Sequence, residues 1–353
     1  SRTTRHPSNF MASSPQSSSS APKADDKAAS HKEIYDQLLE VVSTYPTAPS
    51  GIGRPYTHHP DGWYAFTPAV VNAMVIKRHL KARDTDVFLA TFPKSGTTWL
   101  KALLFATLRR TADGPALAPL AAHSPHQLIP FLEVQVFSNG QIPDLSSLPA
   151  PRLLMTHIPS RSLPESVVAS GCKVVYLCRD PKDCFVSLWH FWNRFAPSPW
   201  DLGEAFQHFC DGVSLFGPFW EHALGYWRWH VERPEQVLFL TYEELAADTI
   251  GQLRRLAEFV GRPFTAEERE ARVDREIVEA CAMESLAGLE VNRSGKTAMI
   301  EDSVANNIFF RRGVVGDWKN HLTPEMARRI DEITKSKFRG SGFALTPATA
   351  DQN

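Results

Sequence analysis

The sequence predicts an α/β protein, a single domain in which helices cover both faces of a central parallel sheet. Three observations lead to this prediction. Short apolar runs typical of buried strands alternate with segments of helical periodicity. After residue 60 the chain has no linker long enough to separate two domains. The 353 residues are 43% apolar and 22% charged, a balance that excludes a fibrous or largely disordered chain.

Apolar side chains at helical spacing predict each helix, and short apolar runs predict each strand. Two helices come first: Leu38, Leu39 and Val42 share one helical face, and Val70 to Leu80 mark the second helix. The strand and helix pairs that follow are Val87 to Phe92 with the helix through Leu100 and Leu108, Lys173 to Cys178 with Pro181 to Arg194, and Val237 to Leu240 with Ile250 to Val260. Parallel strands end at one edge of a sheet, where α/β proteins bind ligands. The residues that follow each strand are therefore candidate site residues.

The two ends of the chain differ from this pattern. Residues 1–30 are rich in serine and contain no Leu, Ile or Val, so they predict a disordered tail. Met11 is a candidate natural start, and a plastid transit peptide is the alternative interpretation of the serine-rich stretch. We expect residues 31–345 to form the domain and residues 346–353 to form a disordered C-terminal tail.

Composition limits the partners and the compartment. A net charge of −1 gives no overall field that would hold nucleic acid or an anionic membrane. The apolar runs are all far shorter than the roughly 18 residues that span a bilayer. Five cysteines without metal-ligand spacing indicate free thiols in a reducing compartment. We therefore expect a cytoplasmic protein that binds neither nucleic acid nor membrane. If the protein binds an anion, we expect cationic side chains close to that anion to hold it.

A tight turn joins the first strand to its helix, in the sequence Pro93-Lys94-Ser95-Gly96-Thr97-Thr98-Trp99. Such a turn lets backbone N–H groups converge on an anion beside the positive end of a helix, and Lys94 adds a full charge. Walker A loops place their lysine after a second glycine, whereas Lys94 precedes Gly96. The loop sequence therefore does not favour hydrolysis of ATP or GTP as the function. An ordinary helix cap beside a solvated lysine is the alternative.

Three further segments carry candidate side chains. His157 lies just beyond an apolar strand, and Arg179 stands at a strand end with Ser187 about two turns into the next helix. Near the C-terminus come Arg311, Arg312 and Gly313. Adjacent arginines suit bidentate binding of phosphate oxygens. A structural histidine, an arginine paired with a carboxylate and a surface charge pair are the ordinary alternatives for these segments.

Taken in order, these segments resemble the cytosolic sulfotransferase family over about residues 60 to 340. Pro93 to Trp99 is similar to the phosphosulfate loop of the family, and Thr156 to Pro159 to its catalytic histidine segment. Tyr176 to Ser187 and Arg311 to Lys319 are similar to its 3′-phosphate segment and its C-terminal signature. Leu289 to Gly295 and Gly225 to Trp227 are similar to the plant branch in particular.

The resemblance implies a single α/β domain with a P-loop-like phosphosulfate loop and the donor 3′-phosphoadenosine 5′-phosphosulfate (PAPS), without a metal. A sulfuryl group would move to the hydroxyl of a small apolar acceptor, with His157 as general base and Lys94 assisting catalysis. The implied donor-binding residues are Lys94, Ser95, Gly96, Thr97 and Thr98 for the 5′-phosphosulfate, Trp99 and Tyr242 for adenine, and Arg179, Ser187, Arg311, Arg312 and Gly313 for the 3′-phosphate.

The acceptor pocket is less defined by sequence. Phe131, Phe191 and Trp192 lie close in sequence to the proposed site and predict an aromatic, apolar cavity, with ordinary core packing as the alternative. The resemblance to the plant branch implies a phenolic, steroid, hydroxyjasmonate or strigolactone-type acceptor, and nothing in the sequence selects among them.

Three departures from the family pattern stand out. Met155 replaces the lysine that animal members carry before the catalytic histidine. Cys281 and Ala282 fall where a Thr or Ser usually meets the adenine. The segment from Lys319 to Arg328 departs from the dimer motif of the family, so we expect a monomer or weak dimer.

Two other function classes stay open at this point. A nucleoside or nucleotide kinase would need Walker A order and Mg²⁺ ligands. A non-catalytic nucleotide-binding protein on the same fold would keep the arginines and lose Lys94 or His157, both of which are present.

Overall fold

The structure is a computed structural model that describes residues 24–111, 114–300 and 302–345. Its helices are α1 Ala24–Val42, α2 Thr67–His79, α3 Thr97–Arg109, α4 Ala118–Ala122, α5 Pro125–Leu128, α6 Glu165–Ala169, α7 Pro181–Trp192, α8 Leu202–Cys210, α9 Phe219–Glu232, α10 Tyr242–Ala247, α11 Thr249–Phe259, α12 Ala266–Glu270, α13 Val273–Ala280, α14 Met283–Gly288, α15 Glu290–Arg293 and α16 Pro324–Phe338. Its strands are β1 Thr47–Ala48, β2 Tyr56–His59, β3 Gly62–Tyr64, β4 Val87–Thr91, β5 Leu153–Thr156, β6 Lys173–Cys178, β7 Val237–Thr241, β8 Lys296–Ala298 and β9 Ser303–Ala305. One π-helical turn, Leu132–Val136, and three 3₁₀ turns, Ser160–Ser162, Asn306–Phe309 and Asp317–Asn320, complete the elements.

The central sheet has four parallel strands in the order β5-β4-β6-β7. Every residue of β4 is buried, which a parallel sheet covered on both faces requires. Neighbouring side chains of β4 enter different apolar clusters: Phe88 packs into one and Leu89 into the other. The predicted parallel sheet with helices on both faces is therefore confirmed.

The strand order brings four chain segments to one edge of the sheet. Strands β4, β5, β6 and β7 run in the same direction, so their carboxyl ends meet there. The residues that follow them are the loop from Phe92, then His157, Arg179 and Tyr242. Segments far apart in sequence thus converge because of the topology alone.

The first helix is longer than expected. It begins at Ala24, so residues 24–30 are helical and the prediction of a disordered tail up to residue 30 is wrong for this part. Tyr35, Leu38 and Val42 are buried in the core and anchor the helix, whereas Leu39 is 40% exposed and does not share their face. Packing of that apolar stripe extends helix formation into the alanine-containing segment before it. The rest of the predicted N-terminal tail, residues 1–23, and the predicted C-terminal tail, residues 346–353, lie outside the described residues.

Two smaller antiparallel sheets, β1-β2-β3 and β8-β9, were not expected from the sequence. Their strands have two to four residues, too few to show an alternating pattern.

In the part of the chain that the structure describes, none of the helices is both long and apolar enough to cross a membrane.

Candidate active site

The loop between β4 and α3 adopts a backbone suited to anion binding. Lys94 and Gly96 have left-handed conformations, with φ of 69° and 104°. This is an uncommon conformation for lysine, and strained residues cluster at functional sites. Among the described residues no side chain caps α3, so the first N–H groups of this helix are available to an anion. Ser95 is fully buried with its Oγ 3.8 Å from the Sγ of Cys184, so its side chain packs into the protein and is not on the cavity wall.

Lys94 places its ammonium group over an aromatic ring of the cavity wall. Its Nζ lies 4.4 Å from the centre of the Phe191 ring. Burial and the neighbouring positive charges of Arg179 and Arg311 lower the pKa of Lys94 to about 7. A bound anion would oppose both effects and favour the charged form.

Arg179 is held in place by contacts that leave part of its guanidinium unpaired. Its Nη2 donates to the carbonyl oxygen of Val314 at 2.8 Å, and its guanidinium lies over the Tyr242 ring at 4.3 Å. Its Nε is buried and has no hydrogen-bond partner among the described residues. Asp183 connects this region to the C-terminal segment, because its carboxylate accepts from the backbone N–H groups of Gly316 and Trp318 at 2.7 and 2.9 Å.

Two arginines from the C-terminal segment share one counter-ion. Asp317 accepts from Arg311 at 2.5 Å and from Arg312 at 3.0 Å. Burial raises the pKa of Asp317 and hydrogen bonds from Arg311 and Asn320 lower it, with a net value of about 2. The Nε of Arg311 is buried without a partner in the described part of the chain. The structure therefore holds a second arginine donor ready for an acidic ligand.

The His157 ring is neutral and is held by a backbone hydrogen bond. Its Nδ1 donates to the backbone carbonyl oxygen of Thr91 at 2.7 Å, because a carbonyl can only accept, so the proton of the neutral ring is on Nδ1. The free lone pair is then on Nε2. The backbone N–H of His157 donates to Oε1 of Glu133 at 2.7 Å. Burial lowers the pKa of His157 to about 3, so the ring is uncharged at neutral pH.

One cavity of about 620 Å³ collects most of the predicted site residues. The predicted residues on its wall are Lys94, Gly96, Thr97, Thr98, Trp99, Phe131, His157, Arg179, Ser187, Phe191, Trp192, Tyr242, Arg311, Arg312 and Gly313. Trp99 and Tyr242 meet edge to face, with ring centres 5.4 Å apart, and form an aromatic corner. Met283 also lines the cavity, whereas Cys281, two residues earlier, is buried in the core.

Several site residues were missed by sequence reasoning. Leu215, Phe216, Ile308 and Phe309 extend the apolar wall. A second group, Lys101, His126 and Glu133, lies buried beside the cavity or on its wall. Apolar periodicity marks positions that face the core, but it gives no signal for a charged residue that is buried there with a partner.

Within residues 24–111, 114–300 and 302–345, no group of three or more His, Cys, Asp or Glu side chains is placed to hold a metal ion.

The sulfotransferase domain family matches residues 84–342. Two Arabidopsis thaliana relatives are cytosolic sulfotransferase 1, 45% identical over 318 residues (87% of this chain, 94% of the relative), and cytosolic sulfotransferase 15, 44% identical over 326 residues (90% of each chain). A solved structure from Arabidopsis thaliana is 37% identical with a TM-score of 0.68, and covers 87% of this chain and 94% of its own.

A mouse sulfotransferase solved in complex with PAP is also similar. It is 26% identical with a TM-score of 0.63, and the match covers 81% of this chain and 96% of the mouse chain. Matches of this identity and coverage show common descent along nearly the whole catalytic fold. The chain therefore belongs to the sulfotransferase family and is an enzyme of its cytosolic branch.

Proposed function

We propose that the enzyme transfers a sulfuryl group from PAPS to a hydroxyl of a small apolar acceptor, with His157 as general base. One observation carries the proposal: the neutral His157 and the cationic loop at Lys94 line the same cavity as Arg179, Arg311 and Arg312. The arginines and loop suit the acidic donor, and the histidine suits the removal of a proton from a hydroxyl.

The residues present fit the donor. Arg179 Nε, Arg311 Nε and Trp99 Nε1 are buried donors without a partner in the described part of the chain. All three residues line the cavity, so a ligand with several acceptor oxygens or nitrogens could pair with these donors. The mouse relative binds PAP, which is the donor after loss of its sulfuryl group. In this proposal Arg179, Ser187, Arg311, Arg312 and Gly313 bind the 3′-phosphate, and Trp99 and Tyr242 contact adenine.

The proposed reaction is an in-line displacement at sulfur. The acceptor hydroxyl gives its proton to Nε2 of His157 while its oxygen forms a bond to sulfur. The bond from sulfur to the bridging oxygen breaks, and its electron pair stays on the 5′-phosphate of PAP. Lys94 and the N–H groups at the start of α3 stabilise the charge that builds up on these oxygens.

Apolar side chains surround His157, where the acceptor would bind in this proposal. Phe131 and Phe216 flank His157, with ring centres 4.9 and 5.5 Å from that of the imidazole. Phe191 and Trp192 continue the wall. These contacts support an acceptor of phenolic, steroid, hydroxyjasmonate or strigolactone type.

The test of the function is direct. A panel of plant phenols, steroids and hydroxy acids is incubated with PAPS and the chain, and products are scored by mass for added sulfate. We expect at least one acceptor to gain sulfate only when donor and enzyme are both present. Tight binding of PAP without transfer to any acceptor would support a non-catalytic nucleotide-binding protein instead.

Sulfate transfer should persist in excess EDTA. Lys94, the arginines and the N–H groups of α3 can neutralise the donor, so the reaction needs no divalent ion. Initial rates with and without EDTA, at several salt concentrations, measure this. Donor affinity should fall as salt rises because the phosphates are screened. A reaction that stops on chelation and returns with Mg²⁺ would favour the kinase interpretation.

Replacing Gly96 with alanine should weaken PAP binding by at least about tenfold. A Cβ at this position would lie 2.7 Å from Cδ2 of the Tyr242 ring, so the loop or the aromatic corner must move. Gly140→Ala is the matched control, because that residue also has a positive φ but a Cβ there meets nothing within 4 Å. Calorimetric titration with PAP compares them. Equal affinity in both variants would show that the loop geometry does not govern donor binding.

We also propose a cytoplasmic location, supported by the cytosolic relatives, and a monomer or weak dimer as the solution state. Light scattering over a range of protein concentrations tests the second point. A concentration-independent dimer would contradict it.

A further inference from the structure

Three buried polar side chains form a hydrogen-bonded series beside the cavity. The series begins at Lys101 of α3, passes through His126 and ends at Thr98, near the start of α3. The Nζ of Lys101 lies 3.0 Å from Nδ1 of His126, and Nε2 of the same ring lies 3.0 Å from Oγ1 of Thr98. Lys101 is completely buried, and His126 and Thr98 are 2% and 8% exposed. Thr98 and His126 both reach the cavity wall, whereas Lys101 lies behind them. The lysine is thus joined to the site through the histidine.

The chemistry of these groups determines which atom donates in each of the two hydrogen bonds. An ammonium group has only protons to offer, so Lys101 donates to Nδ1 of His126. A neutral imidazole that accepts at Nδ1 carries its proton on Nε2, which then donates to the Thr98 hydroxyl. A hydroxyl that accepts this bond keeps its own proton free. Thr98 can therefore donate to an anion in the cavity.

The surroundings support these protonation states. Burial and the charge of Lys101 lower the pKa of His126 well below its ordinary value, so the ring is neutral. Burial also lowers the pKa of Lys101 well below its ordinary value, and the charge of Glu133 opposes this effect in part. The Lys101 Nζ lies 3.4 Å from the centre of the Phe131 ring, and an aromatic face attracts a cation. Glu133 and Phe131 are thus the two groups that stabilise the ammonium form of Lys101 against its burial.

We propose that Lys101 is a positioning residue for the donor: through His126 it keeps the Thr98 hydroxyl oriented as a hydrogen-bond donor toward the phosphosulfate. The inference rests on the proposed function for the identity of the anion. If both hydrogen bonds ran in the opposite direction, Thr98 would donate to His126 and present lone pairs to an anion. The same three residues would then repel the ligand that the loop binds.

The first test needs no ligand. Imidazole ¹⁵N shifts are measured in the wild-type chain labelled at histidine, with His126→Asn used to assign the signal. We expect the tautomer protonated on Nε2 for His126. A ring protonated on Nδ1 would overturn the inference whatever the chain catalyses, so this outcome is separate from a failure of the proposed function.

The second test is a double-mutant cycle between Lys101 and Thr98. Lys101→Met and Thr98→Val should each weaken PAP binding and raise the KM for PAPS by about tenfold, the loss expected for a hydrogen bond to a charged group. In the Thr98→Val background, Lys101→Met should change PAP affinity by less than about twofold, because the hydroxyl through which it acts is gone. Additive losses would overturn the inference, since they would show a general structural role.

Two controls separate orientation from stability. Thr98→Ser keeps the hydroxyl and should retain PAP affinity. Thr107→Val removes another buried hydroxyl of α3, which donates to the Leu103 carbonyl, and should lower Tm without changing the KM for PAPS. If Lys101→Met does not fold, His126→Leu replaces it in the cycle. Failure of the wild-type protein to bind PAP would contradict the proposed function. The tautomer of His126 would still test the direction of the two hydrogen bonds.

Discussion

His157→Ala should lower kcat by about 10²–10⁴-fold, the usual contribution of a positioned general base. PAP affinity should stay within about threefold, because in the proposed function His157 contacts the acceptor, whereas the cationic loop and the arginines bind the donor. Steady-state kinetics with PAPS and an identified acceptor, together with calorimetry for PAP, measure both quantities. Turnover close to wild type in this variant would contradict the general-base assignment.

The matched control is His230→Ala. Nδ1 of His230 also bonds a backbone carbonyl, that of Val237 at 2.7 Å, but this histidine does not line the cavity. We expect this variant to lose stability and to keep its kcat. A similar fall of kcat in both variants would show that loss of an imidazole bonded to a backbone carbonyl, and not loss of the base, causes the effect.

The pH profile adds an independent check on His157. Burial holds its pKa at about 3, below the ordinary 6.5, so the base form persists as pH falls through 6.5. In the pH profile of kcat/KM for the acceptor, the loss of activity at acid pH should therefore have its midpoint below pH 6.5. A midpoint at pH 6.5 that disappears in His157→Ala would contradict the depressed pKa.

Much of this site follows from the sequence because parallel topology is readable there. The buried run from Val87 and the run from Lys173 mark adjacent strands, so the loop at Lys94 and the side chain of Arg179 meet at one edge. Nothing local pairs Lys101 with His126, since the two are 25 residues apart and each alone is an ordinary helical residue. Pairing of buried polar groups depends on the packing of α3 against α5, which the pattern of apolar residues leaves open.

The exposed side of α1 shows the same limit. Leu38 and Leu39 both fit an apolar stripe, and only the docking of the helix buries the first and exposes the second. Sequence patterns therefore predict which segments form elements more securely than which of two neighbouring apolar residues faces the core.

PAPS should bind at least about a hundredfold more tightly than an adenosine phosphosulfate that lacks the 3′-phosphate. Arg179 and Arg311 each keep a buried Nε without a partner in the described part of the chain, and hydrogen bonds from charged groups contribute about 1.5–3 kcal/mol each. Two bonds at the lower limit give about 3 kcal/mol, or roughly a hundredfold at 1.4 kcal/mol per tenfold. Competition between the two donors measures this ratio.

Arg179→Ala should remove most of that discrimination and leave the fold intact, because Asp183 still holds the C-terminal segment through the N–H groups of Gly316 and Trp318. Arg254→Ala is the control: Arg254 pairs with buried Asp274 away from the cavity, so its loss should lower Tm and leave the ratio between donors unchanged. Equal affinity of the wild-type chain for the two donors would show that the arginines serve structure or another ligand. In that case the 3′-phosphate would not be what these guanidinium groups bind, and the assignment of PAPS as donor would lose its main physical support.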